Sequence, residues 1–294
     1  MRIGLDLGGT KIEIVALDPM DQERLRRRVP TPQGNYSATL RAIVDLVEGA
    51  ERELGCRATV GMGIPGSIAV HTGTVRNANS TCLNGKALQV DLEGLLGRSV
   101  RIENDANCLA LSEAIDGAAQ GAAVAFAVIL GTGVGGGLVV NGKLVSGRNR
   151  IAGEWGHNPL PWPTAMEWDG PRCWCGRQGC LETWLSGPAL AASHPEAADA
   201  FGLALAADAG ESGAQEALDR WVDRCARAMA SLVNVLDPDV IVLGGGLSKI
   251  RDLPDRLLAR WRPWIFSDFV ATRIVTAHHG DSSGVRGAAR LWPI

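Results

Sequence analysis

The chain of 294 residues carries 29 basic and 32 acidic side chains, for a net charge of −3. That length exceeds what a single core usually fills, so two lobes are expected, and the near balance of charge gives no reason for a nucleic-acid-binding surface. At 46% hydrophobic and 21% charged residues the composition excludes a disordered chain; no run reaches the ~18 apolar residues of a membrane span and no signal-peptide core opens the sequence, so a cytoplasmic protein is expected.

The first predicted element is a hairpin over residues 2–17, with apolar residues on both sides of Gly8-Gly9-Thr10-Lys11. Glycine lets the backbone approach a phosphate there, with N–H groups, the Thr10 hydroxyl and Lys11 as donors. Asp6, at the end of the first strand, is placed to hold a hydrated Mg²⁺. Taken alone, such a hairpin is more often only a tight turn. The basic run at residues 24–28 reads as a solvated strand or edge face. Residues 35–54 have helical periodicity (Leu40, Ile43, Val44, Val47), with Gly55 as the stop. A strand over 58–64 ends at Pro65-Gly66, and a short helix at 91–96, a strand at 100–102 and a helix at 104–117 follow. Asp105 lies where that strand meets that helix. Two readings stand level: a helix N-cap, or a carboxylate facing the ligand crevice at a strand's C-terminal end.

The opening pattern then returns. Residues 123–130 form a buried-type strand, followed by Gly131-Thr132-Gly133-Val134-Gly135-Gly136-Gly137, an apolar run to Val140 and the turn Asn141-Gly142. Strand, Gly/Thr turn and strand thus occur twice, about one small domain apart, as two similar lobes clamping a nucleotide would require. Gly131, Gly133 and Gly136 also match the dinucleotide-binding spacing, as do Gly61, Gly63 and Gly66. A hairpin follows the first set and a Pro-Gly loop the second, so neither opens the helix that the fingerprint needs.

Residues 159–163 read as an irregular loop. Beyond it, Cys173, Cys175 and Cys180 join His157 as a full tetrahedral ligand set for structural zinc. Gly176 and Gly179 let the chain fold back between the thiolates. Plain thiols or a disulfide are the weaker reading where no secretory leader is seen, and zinc would staple the loop. The other cysteines, 56, 82, 108 and 225, are expected to be buried free thiols. Helices over about 187–207 and 213–236 follow, then a strand at 240–243. The turn Gly244-Gly245-Gly246 offers a flat wall to adenine or ribose, or is a bare strand–helix turn. A helix at 250–264, a strand at 272–277 and a helix at 283–291 complete the pattern.

Together, Asp6-x-Gly8-Gly9-Thr10-Lys11, Asn104-Asp105, Gly131-Thr132-Gly133, Glu154-x-x-His157, Cys173-x-Cys175-Gly176-x-x-Gly179-Cys180-x-Glu182 and Gly244-Gly245-Gly246 resemble the ROK family. That family comprises repressors, open-reading-frame proteins and sugar kinases. The resemblance covers essentially the whole chain. It implies an α/β, two-lobed actin/hexokinase-like (ribonuclease H-like) ATPase fold with a zinc-stapled loop. The first lobe would span 1–117, completed by a helix at about 283–294, and the second lobe, with the zinc site, 118–282. Within the family, residues 59–67, 77–85, 153–162 and 279–288 are similar to bacterial fructokinases (manno(fructo)kinases), with N-acetylglucosamine kinases the next relatives.

The activity so implied is ATP-dependent phosphorylation of a hexose 6-hydroxyl, D-fructose first. N-acetylglucosamine kinase and glucokinase are the alternatives, with mannose and glucose poorer substrates than fructose. Asp105 would be the general base, and Gly66, Asn79, Asn104, Asp105, Glu154, His157 and Glu182 the sugar contacts. ATP would lie against Gly4, Asp6, Gly8, Gly9, Thr10, Lys11, Gly131, Thr132, Gly133, Val134, Gly135, Gly244, Gly245 and Gly246, with Mg²⁺ on Asp6 through water. His157 would serve zinc with one ring nitrogen and sugar with the other. A reading of another class is a non-catalytic, sugar-sensing ROK protein. The family's repressors carry a winged-helix segment before the phosphate hairpin, which here begins at Met1, so the enzyme reading is preferred. The Ala-rich segment 188–213 is short beside the fructokinases and often borders the subunit contact in the family, which leaves a homodimer as an open expectation.

Overall fold

The computed structural model describes residues 1–293. In chain order, β1 (Arg2–Leu7), β2 (Lys11–Leu17) and β3 (Glu23–Pro30) form an antiparallel meander, and α1 (Tyr36–Leu54) follows. β4 (Thr59–Ile64) lies parallel to β1; a small hairpin of β5 (Ser67–Ile68) and β6 (Val75–Arg76), then α2 (Leu88–Leu96), lead to β7 (Val100–Asn104), parallel to β4. The sheet order is β3-β2-β1-β4-β7. α1 is bounded as its sequence demands. Asn35 caps it by accepting from the Ala38 N–H at 3.0 Å, Gly55 ends it in the left-handed conformation, and Leu40, Ile43, Leu46 and Val47 face the core. On the edge strand β3 the basic run is only partly solvated, because Arg26 and Arg28 close on the buried Glu13 of β2 at 2.5 and 2.8 Å.

α3 (Asp105–Asp116) leads to a second sheet of the same wiring, β10-β9-β8-β11-β12. It is made by β8 (Val124–Leu130), β9 (Val134–Val140), β10 (Lys143–Leu144), β11 (Val240–Gly244) and β12 (Arg273–Thr276). Between β10 and β11 run an irregular segment, α4 (Glu182–Leu185), α5 (Gly187–Ala191), α6 (Ala200–Asp208) and α7 (Ser212–Leu236); α8 (Leu253–Trp261) precedes β12 and α9 (Ser283–Ala289) follows it. The long amphipathic α7 buries Trp221, Val222, Cys225 and Met229 at the centre of this half. Among the described residues no helix is long and apolar enough to cross a membrane.

Two helices change sides. α3 starts at the first sheet but packs Leu109 and Ala110 with Ala127, Val139 and Val242 of the second. α9 follows the last strand of the second sheet yet lies on the first, with Val285 and Ala289 against Val15 and Leu17. Gly4 and Gly61 make that approach close: a Cβ at Gly4 would strike the Val285 carbonyl, and one at Gly61 the Ala288 carbonyl. This corrects the assignment of Gly4 to ATP, since its missing side chain is what lets α9 sit down. Glu113 of α3 ties the two helices together. It accepts from the N–H groups of Ala118, His278 and His279 at 2.8, 2.9 and 3.1 Å and from Ser283 Oγ at 2.7 Å. Asp116 pairs with Arg286 and Arg290 of the same junction.

Other expectations shift. The helix expected over 187–207 is two, α5 and α6, interrupted near Pro195. The helix expected over 250–264 begins at Leu253 and ends at Trp261 with a 3₁₀ turn beyond it, and the last helix ends at Ala289. Among the four cysteines outside the cluster, Cys108 and Cys225 are buried, Cys82 is half-buried and Cys56 is exposed.

Candidate active site

A cleft of about 960 Å³ opens where the C-terminal strand ends of the two sheets face each other. From the first sheet, the register Asp6↔Gly63 and Ile64↔Asn104 brings Asp6, Gly66 and Asp105 to one edge. The cap of α3 is Asn104, not Asp105: its Oδ1 accepts from the Ala106 N–H at 2.9 Å, and its Nδ2 donates to the Gly66 carbonyl at 3.1 Å. Gly66 holds φ +77°, and a Cβ there would collide with Arg76 and Ala78, so the loop bearing Asn79 is pressed against it. Asn84 pins that loop, bonding both the N–H and the carbonyl of Ala78 at 2.9 Å.

Asp105, the first residue of α3, shares the Ala106 N–H with that cap, accepting it at 2.8 Å through Oδ1, and lines the cleft. Burial raises its carboxyl to about 6, the Ala106 N–H opposing and Glu154 adding to the rise. Asp6 is lifted to about 7, by burial first and by the charges of Asp105 and Glu13 next. Two neighbouring acids held up in this way suit a cation between protein and phosphate. At the hairpin tip, Gly9, Thr10 and Lys11 are exposed, while the Gly8 N–H is already used by the Lys11 carbonyl at 3.0 Å.

The second sheet contributes backbone. The Gly131 N–H donates to the Gly133 carbonyl at 3.0 Å, and the Gly187 N–H to the Gly131 carbonyl at 2.7 Å, which fixes the turn. Thr132, Gly133, Val134 and Gly135 line the cleft. The three glycines after β11 have different reasons to be glycine. Gly244 abuts Leu109, Gly245 sits at φ +81° against the Leu130 carbonyl, and Gly246 alone of the three faces open space. The flat wall expected of all three thus narrows to Gly246.

The segment between β10 and α4 brings in Glu154 and His157, and the first residue of α4 is Glu182, all on the cleft. Buried Trp155 anchors the first two, donating to the Gly135 carbonyl at 2.8 Å and packing edge-on against Phe126. Burial raises the Glu154 carboxyl, partly offset by His157 and Arg76. Glu182 accepts the Val134 N–H at 3.0 Å and, through its other oxygen, Trp174 Nε1 at 2.6 Å. Trp174 lines the cleft as well and was absent from the sequence expectations; an aromatic between two ligand-spaced cysteines was its only signal.

His157, Cys173, Cys175 and Cys180 converge, with ligand atoms all within 4.8 Å of one another. His157 Nδ1 faces Cys173 Sγ at 3.6 Å, and Cys175 Sγ lies 3.6 Å from Cys180 Sγ. Burial and the adjacent Cys175 thiol push Cys180 up to about 12. Sulfurs so crowded ionise together only beside a cation, so the donor set fits tetrahedral zinc.

The ROK family pattern matches residues 2–294. The chain belongs to the ROK family. Its relatives in the family include an N-acetyl-D-glucosamine kinase of Escherichia coli O127:H6 (strain E2348/69 / EPEC), 40% identical over 299 residues covering 99% of each chain. Among solved structures, the ROK hexokinase from Thermus thermophilus superposes with a TM-score of 0.86 at 33% identity, covering 98% of this chain and 96% of that one. A ROK family glucokinase from Streptomyces griseus, solved in complex with glucose and AMPPNP, gives 0.81 at 29%, covering 99% and 98%. The α/β fold of two like sheets is accordingly that of ROK sugar kinases. The expected precedence of the fructokinases is corrected by the full-length match to an N-acetyl-D-glucosamine kinase.

Proposed function

We propose that the chain is an ATP-dependent ROK sugar kinase that phosphorylates the 6-hydroxyl of N-acetyl-D-glucosamine. The observation that carries the kinase reading is Asp105. It is half-buried, its carboxyl is raised to about 6, it follows the cap Asn104, and it lines the cleft with the glycine turn of the second sheet. In this reading Asp105 accepts the proton of the attacking hydroxyl, while Asn104 and Gly66 fix its position. Asn79, Glu154, His157 and Glu182 orient the sugar through paired hydroxyls. Gly9, Thr10 and Lys11 on one side and residues 131–135 on the other take the phosphates, and Gly246 flanks the adenosine. Asp6 would hold Mg²⁺ through water, and the metal when bound supplies neutralisation of the phosphate charge. His157, Cys173, Cys175 and Cys180 would hold zinc, which gives the loop its rigidity.

The choice of sugar is supported by the 40% identity to an N-acetyl-D-glucosamine kinase along the full chain. As part of the same proposal, residues 1–117 with 283–294 and residues 118–282 are two mechanical units, with α3 as the strut between them. A coupled ADP-release assay over N-acetyl-D-glucosamine, glucose, mannose and fructose tests the assignment. The highest kcat/KM is expected for N-acetyl-D-glucosamine; no turnover with any of the sugars would remove the kinase reading, and a clear preference for fructose would restore the fructokinase one.

A further inference from the structure

Trp174 is the one large aromatic among the described residues lining the cleft, and 62% of its surface is exposed. Its neighbours in sequence, Cys173 and Cys175, both belong to the ligand cluster, so its backbone is held on either side. Its N–H is committed to Glu182 Oε1 at 2.6 Å, and the His157 ring meets it edge-to-face at 5.0 Å. What Trp174 still offers the cleft is therefore apolar ring surface. Beside that ring stand the polar His157 and Glu182.

The placement of groups around the cleft gives this ring surface a chemical address. Glu182, to which Trp174 donates, is held by the Val134 N–H of the second sheet, whereas Asp105 opens α3 at the edge of the first, so Trp174 faces the cleft from the wall opposite the base. In a pyranose, C5, which carries the 6-hydroxymethyl group, and C2 are opposite members of the ring. A sugar whose 6-hydroxyl meets Asp105 therefore turns its 2-substituent toward the cysteine cluster. In an N-acetylhexosamine that substituent ends in a methyl group, which gains by leaving water for an aromatic face.

We propose that Trp174 is a specificity-determining residue: its indole face receives the methyl of the substrate's 2-acetamido group, while its N–H sets Glu182. This rests on the N-acetyl-D-glucosamine reading above. A single apolar contact of this kind is worth about 10–200-fold in discrimination, and glucose, with a hydroxyl at C2, forgoes it.

The experiment compares kcat/KM for N-acetyl-D-glucosamine and glucose in the parent, W174F and W174A, with metal content measured for each. W174F keeps an aromatic face and loses the N–H; a modest loss on both sugars with the preference retained is expected. W174A loses both, and the preference should shrink about tenfold or more. Should W174A fail to fold or lose metal, the tryptophan emission of the parent minus that of W174F carries the test. N-acetyl-D-glucosamine should perturb that difference signal and glucose should perturb it little. A parent without preference for N-acetyl-D-glucosamine removes the substrate reading and this assignment with it. A parent preference that survives in W174A, or a difference signal that both sugars perturb alike, overturns the assignment alone.

Discussion

The two sheets share one wiring but bring different chemistry to the cleft. The edge of the first carries ionisable groups, Asp6 and Asp105, both raised by burial, and beside them Lys11 on an exposed turn. The turn at the edge of the second carries none, only the uncharged Thr132, Gly133, Val134 and Gly135. Glu154, His157 and Glu182 come instead from the segment that follows β10 and from the first residue of α4. In the function proposed, a repeated scaffold thus divides its labour, one half supplying proton and cation chemistry and the other an uncharged, glycine-rich cradle. The groups proposed to orient the sugar sit on an inserted segment whose Trp155 and Leu160 are part of the core of the second half.

The division breaks most visibly at Asp105. Asp105→Asn is expected to lower kcat by about 10²–10⁴-fold with sugar and ATP binding retained, because an amide cannot take the proton. In the parent, kcat/KM should fall as pH drops through about 6, where Asp105 gains its proton. Stability should move the other way. The carboxyl is raised from 3.8 to about 6 on folding, so its contribution is full below about pH 4 and lost as pH rises through 6. Measured without nucleotide or metal, Asp105→Asn should therefore melt higher than the parent at pH 8, by up to about 3 kcal/mol, and show no such gain at pH 4. Near-full turnover in the variant would return the acid to a structural role.

The insertion is probed next. Cys175→Ser should reduce the zinc content from about one per chain and raise the sugar KM about 10–100-fold, while the ATP KM stays near that of the parent. Metal analysis finding no zinc in active protein would refute the ligand assignment. Gly133→Ala tests the seam between insertion and cradle. Its Cβ would stand 2.6 Å from Glu182 Oε2, so the acid must move and the sugar KM should rise about tenfold. The smallest effects separate two neighbouring glycines. Gly245→Ala, at φ +81° against a carbonyl, should cost about 1–3 kcal/mol of stability. Gly246→Ala meets open space and should leave the melting temperature alone while raising the ATP KM a few-fold; an unchanged ATP KM would detach Gly246 from the nucleotide.

Sequence made the repeated strand–turn–strand units and the cysteine–histidine spacing legible because both depend on short-range pattern. Asp105 was harder. Asn and Asp cap helices equally well, and both side chains here accept the Ala106 N–H; Asn104 holds the extended cap position, and its Nδ2 is tied to Gly66, 38 residues away. Gly4 misled for a related reason, since its constraint comes from α9 at the far end of the chain. Cys56 lies just past the Gly55 stop of α1, where the chain turns outward. The fructose ranking rested on loop segments such as residues 77–85, whose fold is set by Asn84 holding Ala78 rather than by any sugar contact. Trp174 could be valued only once its N–H was seen on Glu182.

The exchange of α3 and α9 also sets a timetable for synthesis. The strands of the first sheet are made within residues 2–104, but the strip over Gly4 and Gly61 is covered by residues 283–289. The earlier-made half must therefore wait on the ribosome with that strip open while the later half is translated and folds. Its final packing is a long-range event that closes both halves together, with Glu113 and Asp116 as the clasp.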